Sequence, residues 1–142
     1  MGLGEAKREL PREFSGQLPA GVRKAKAFCG GCLVLETQGY SEGDAFAEQV
    51  AESGVFGDWQ IVVLYDDISY ADTPEKFLWA TWTRFDPARD TYANGSVENN
   101  HIGYEPPIVI DARMKPWYPK EVEPHPDTVK LVDARWSEYF RA

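Results

Sequence analysis

Apolar and polar positions along the chain predict alternating strands and helices. The run Cys32-Leu-Val-Leu-Glu-Thr37 reads as a first strand. Ser41 then offers an N-cap with Asp44 three residues on, and Phe46, Ala47 and Val50 fall on one helical face, with Gly54 as the stop. Trp59-Gln-Ile-Val-Val-Leu-Tyr65 is a short, nearly continuous apolar run, the pattern of a strand covered on both faces. Strand, helix and buried strand make a βαβ unit whose crossover is expected to be right-handed.

A second helix is predicted to start at Asp72-Thr73-Pro74, since proline suits the first helical position and the polar residue before it caps. Leu78, Trp82 and Phe85 are expected to share its buried face, and Pro87 to end it. Residues 93–106 read as a polar connection, with room for a short strand around Asp90 to Tyr92. Pro107-Ile-Val-Ile-Asp111 is a further strand, with proline at its first position. Four prolines between 115 and 126 predict extended chain, and a last helix begins near Pro126 with Val129, Val132, Trp136 and Tyr139 or Phe140 on one stripe. The expected architecture is α/β: a single domain (28–142) with a mixed, mostly parallel sheet and helices packed on it. Residues 1–27, with mixed charge and little periodicity, read as an arm that is loosely held or ordered on a partner.

Composition narrows the function. The 142 residues suffice for one domain, and 43% hydrophobic with 27% charged residues is ordinary globular usage. Aromatic content of 13% leaves some rings for an interface. The net charge of −8 and the lack of a basic patch larger than Arg23, Lys24 and Lys26 argue against nucleic acid. Apolar runs such as Ile61 to Tyr65 are too short to span a bilayer, and the first residues show no secretory pattern, so the expectation is a cytoplasmic chain with reduced thiols.

Candidate chemistry is sparse. Cys29-Gly-Gly-Cys32 supplies half of a zinc site, His101 and His125 are not a short-spaced pair, and the motif precedes a strand, not a helix. Structural or incidental cysteines are therefore the favoured reading, with metal or redox use as the lesser alternative. Asp66-Asp67 sits at the carboxyl end of a strand, where open α/β sheets bind ligands. Neighbouring side chains on extended chain diverge, so a turn role competes with a ligand- or interface-facing one. Arg84, Asp86, Arg89 and Asp90 gather round a helix end as a local ion-pair and turn network, or as a fork for a carboxylate. No Gly-rich phosphate loop, Ser-His-Asp set or histidine acid/base centre is evident.

The stretch Ile61-Val-Val-Leu-Tyr-Asp-Asp-Ile68, followed by Leu78-Trp-Ala-Thr-Trp-Thr-Arg-Phe-Asp-Pro-Ala-Arg-Asp-Thr91, resembles the UbiD family of reversible decarboxylases, whose signature is WAxxTRxDPxRD. Val109-Ile-Asp-Ala-Arg113 is similar to the family's IDAT strand, and Pro126 through Trp136 to its closing helix. The resemblance covers roughly residues 31–140 and only the family's C-terminal domain. It implies that prenylated FMN, a metal and potassium belong to a larger portion that also supplies the catalytic arginine and glutamates. No catalytic residue is carried over to this chain. What is implied instead is a domain that builds oligomers and closes one side of a substrate pocket. The expectation is a small subunit, homo- and hetero-oligomeric, that completes a UbiD-like carboxylase or decarboxylase for an aromatic or unsaturated carboxylic acid. The flavin would sit on a UbiD-like large subunit. The alternatives are a non-enzymatic assembly or regulatory module, and a small enzyme built on the Asp pair. Two departures bear on the pocket: Glu36-Thr-Gln-Gly-Tyr-Ser-Glu-Gly43 replaces a basic, histidine-containing segment, and Arg113 replaces the motif's threonine.

Overall fold

The computed structural model describes residues 9–120 and 122–139. Five strands form one sheet in the order β1-β2-β3-β5-β4. They are β1 (Val22–Cys29), β2 (Cys32–Thr37), β3 (Ile61–Tyr65), β4 (Thr91–Glu98) and β5 (His101–Asp111). The central strands β2, β3 and β5 run parallel, while β1 and β4 are antiparallel additions at either side. Helix α1 (Phe46–Glu52) links β2 to β3, which confirms the βαβ unit, and α2 (Pro74–Thr83) follows β3 after a 3-10 turn at Ile68–Ala71. Helix α3 (Pro126–Tyr139) closes the described chain.

The near-continuous apolar runs of β2 and β3 are explained by cover on both faces. Leu33, Leu35, Val62, Leu64 and Val109 face Phe46, Ala47, Val50, Phe56 and Trp59 on one side. Val34, Val63, Tyr65 and Ile110 face Ala71, Phe77 and Ala80 on the other. Thr73 caps α2 through Lys76 N, and Pro74 occupies the first turn, as the sequence predicts.

Several expectations need correction. The stretch 22–27, read as part of a loose arm, is most of β1. Its basic residues hid a strand pattern that suits an exposed sheet edge, where lysines discourage further pairing. Residues 1–8 of that arm lie outside the described part. The next stretch is fastened to the domain: Pro11 accepts a hydrogen bond from Gly31 N at 3.0 Å, and Phe14 packs on Phe56 with centroids 5.4 Å apart. Ser41 does not cap α1. Asp44 instead turns back to accept from Ser41 N and Oγ and from Phe46 N.

Helix α2 buries Phe77, Ala80 and Thr81, and it leaves Leu78 and Trp82 outside at 52% and 60% exposure. The helix is apolar around most of its circumference, so spacing alone did not fix its phase. It also stops at Thr83, before Pro87, because Arg84 leaves helical geometry. The polar connection at 93–106 is a hairpin of β4 and β5, turned at Asn99-Asn100 with φ of 50° and 64°. Both asparagines sit in the left-handed region that a tight two-residue hairpin demands. Pro107 lies within β5, opposite a register shift between Tyr92 and Asn94, where a missing N–H is tolerated. No residue of α3 is buried, so the stripe of Val129, Val132, Trp136 and Tyr139 packs on no described core, and Phe140 falls outside the described residues.

Candidate functional site

The parallel strands end together, and the loops leaving them place charged side chains along one rim. Asp111, Arg113 and Lys115 leave the end of β5 at every second position, the spacing that sends extended-chain side chains to one side. Arg113, fully buried, makes two forks. Its Nε and Nη2 donate to Asp111 at 2.9 and 2.7 Å, and its Nη1 and Nη2 donate to Asp44 at 3.1 and 3.0 Å. Lys115, also buried, pairs with Asp90 Oδ2 at 3.0 Å and donates to the carbonyls of Arg84 (3.1 Å) and Asp111. Tyr40 lies over both cations, 5.4 Å from the guanidinium carbon of Arg113 and 5.8 Å from Lys115 Nζ.

Arg84 extends the network. It is 3% exposed, stacks 4.1 Å over the Tyr70 ring, donates to Tyr70 Oη at 2.6 Å and reaches Asp66 at 3.5 Å. Asp66 also accepts from Met114 N. Burial opposes the charge on Asp44, but hydrogen bonds from Arg113 and from the Ser41 and Phe46 amides outweigh it and hold the carboxyl below its ordinary range. Burial and the nearby Asp90 carboxylate push the Tyr118 phenol up.

Of the residues singled out from sequence, Asp66, Arg84 and Asp90 thus meet in one network, with Arg84 and Asp90 buried and Asp66 partly exposed. Asp67 does not join it: the side chain is exposed and caps the 3-10 turn through Ser69 N at 2.8 Å. Asp86 and Arg89 remain at the rim, 3.7 Å apart with exposed side chains, and Asp86 holds the turn through Ala88 N. Sequence reasoning missed Tyr40, Asp44, Asp111 and Lys115 as members. The alternation of Asp111, Arg113 and Lys115 was the available signal. Cys29 and Cys32 are free thiols away from this rim, and among the described residues no cluster of three or more His, Cys, Asp or Glu side chains suits a metal ion.

Two clefts flank Tyr118. One, of about 430 Å³, has apolar walls from Trp79, Met114, Pro119 and Val122, with Arg84 and Lys120 as its cations. The other, of about 260 Å³, is lined by Tyr40, Asp44, Asp90, Tyr92 and Trp117. Arg113 and Lys115, each taken by carboxylates, offer no free charge to a flavin phosphate. No chemical step is therefore assigned to a flavin on this chain.

No protein-family model matches the chain. It is 42% identical, over 99% of its length, to an uncharacterised protein of Chlamydia muridarum, and 42% identical to a Chlamydia pneumoniae protein named as a subunit of 4-hydroxybenzoate decarboxylase. It spans 24% of each, about a quarter of the length of the curated relatives it matches. Among solved structures, it superposes on the closed form of vanillic acid decarboxylase from Sedimentibacter hydroxybenzoicus at 17% identity and a TM-score of 0.55. That match covers 85% of this chain and 29% of the other. The FMN complex of the UbiD-class enzyme HmfF from Pelotomaculum thermopropionicum gives 21% identity and a TM-score of 0.51, covering 80% of this chain and 29% of that one.

Proposed function

We propose that this chain, a UbiD-class domain by fold, acts as the non-catalytic part of a carboxylase or decarboxylase for an aromatic or unsaturated carboxylic acid, and that prenylated FMN is held by a larger UbiD-like polypeptide. The observation that carries this reading is the outer face of α2. Leu78, Trp79 and Trp82 are 52%, 49% and 60% exposed beside the cleft that holds Arg84. An apolar face of that kind marks an interaction surface. Beside it, a cleft with aromatic and apolar walls and Lys120 in its lining suits a flat carboxylic acid. The match to a quarter-length stretch of longer proteins, one of them named as a decarboxylase subunit, supports the same reading.

In this role the domain shapes one wall of the pocket and excludes water, which favours reaction through orientation and desolvation. The rim network keeps that wall rigid. The test is turnover of an aromatic acid by a flavin-loaded large chain with and without this one. A clear rise on addition is expected, and turnover unchanged by addition would overturn the proposal. A non-enzymatic assembly module is the second reading, favoured by the internal pairing of Arg113 and Lys115. It predicts a stable homo-oligomer indifferent to the flavin-bearing chain, which size measurement of the mixture separates from the first.

A further inference from the structure

Cys29 ends β1 and Cys32 begins β2, and the two are direct partners across the antiparallel register, joined only by Gly30-Gly31. Directly opposed residues on such a pair share a face, with Cα atoms about 4.5–5.5 Å apart. A disulfide needs about 4.4–6.8 Å, a span that this pairing allows. The turn is fixed at Gly31. Gly31, at φ +80°, donates to Pro11 O at 3.0 Å, and its carbonyl accepts from Gln60 N and Ile61 N at 2.9 and 3.0 Å. The thiols differ sharply in surroundings: Cys29 is exposed, while Cys32 is 7% exposed and packed with Val34 and Val63.

We propose that Cys29 and Cys32 form a redox-active dithiol site whose co-reactant is a small disulfide of the glutathione class. The exposed Cys29 thiolate attacks one sulfur of the small disulfide, whose S–S bond breaks and releases one thiol. The Cys32 sulfur then attacks Cys29 in the mixed disulfide, loses its proton and releases the second thiol. The two cysteines are oxidised to one S–S bond, and one small disulfide is reduced to two thiols. Burial, with Cys29 alongside, pushes the Cys32 thiol up to about 12. The second displacement is therefore the slow one, and the Cys29 mixed disulfide is a visible intermediate.

The experiment places the full chain in glutathione buffers of graded oxidation, quenches with an alkylating reagent and reads intact and peptide masses. The expected result is paired loss of both alkylations with no retained glutathione, reversed in reduced buffer. Cys32→Ala should trap glutathione on Cys29, and Cys29→Ala should leave Cys32 unmodified. Two thiols that stay fully alkylatable in the most oxidised buffer would overturn the proposal. So would a wild-type glutathione adduct that never resolves, or disulfide-linked dimers in place of the internal bond.

Discussion

At the scale of single residues, the rim network is the feature with the largest energetic consequence. Lys115 has no solvent to fall back on, and it neutralises Asp90 while satisfying two backbone carbonyls. Removing one partner of a buried ion pair leaves the other charge stranded, at a cost of about 3–5 kcal/mol. Lys115→Met should therefore lose about that much in urea unfolding despite its similar volume, and a loss near zero would mean that Asp90 finds water. Asp44 gives the pH dependence. Its folded carboxyl lies below the ordinary 3.8, so its stabilisation is present above that value and disappears as pH falls through the lower folded one. Stability should fall below about pH 4. Asp44→Asn should weaken the protein at neutral pH and flatten that acid limb, and a wild-type-like limb in the variant would exclude Asp44 as its source.

Among elements, what the sequence made legible was what the core enforces. The strands β2 and β3, the buried face of α1 and the Thr73-Pro74 start of α2 follow from dense apolar runs and capping chemistry. Edges were harder to read. The strand β1 buries only Val22 and β4 buries none of its residues, so their pairing leaves little hydrophobic trace. The site was partly legible for a related reason. Asp66, Arg84 and Asp90 stood out through local clustering, whereas Asp44 and Arg113 are 69 residues apart and meet only through the fold. The β4–β5 hairpin permits a direct test. Asn100 sits at φ 64°, where a Cβ without a local hydrogen-bonding group costs about 1–2 kcal/mol. Asn100→Ala should destabilise by roughly 1 kcal/mol in thermal or urea unfolding. Asn100→Gly should cost less than alanine, and the reverse order would mean that the turn is not held in this geometry.

On the scale of the whole molecule, large aromatic side chains stand at the surface. Trp79, Trp82, Trp117 and Trp136 are each about half exposed, at 49%, 60%, 54% and 56%. Aromatic residues of this kind are enriched where chains meet. Trp82→Glu should leave unfolding midpoints nearly unchanged, since the ring contributes little to the interior, yet weaken binding to the proposed flavin-bearing large chain at least tenfold in titration. Undiminished binding would move the contact to another face.

Both apolar layers of the sheet are complete without any side chain from α3. A cut in the proline-rich stretch ahead of Pro126 should consequently spare the β-structure, leaving its circular-dichroism signal and melting behaviour intact while the terminal segment leaves in solution. Gene fusions or splits at that point would carry little folding penalty, so this helix is free to be shaped by what it touches outside its own domain.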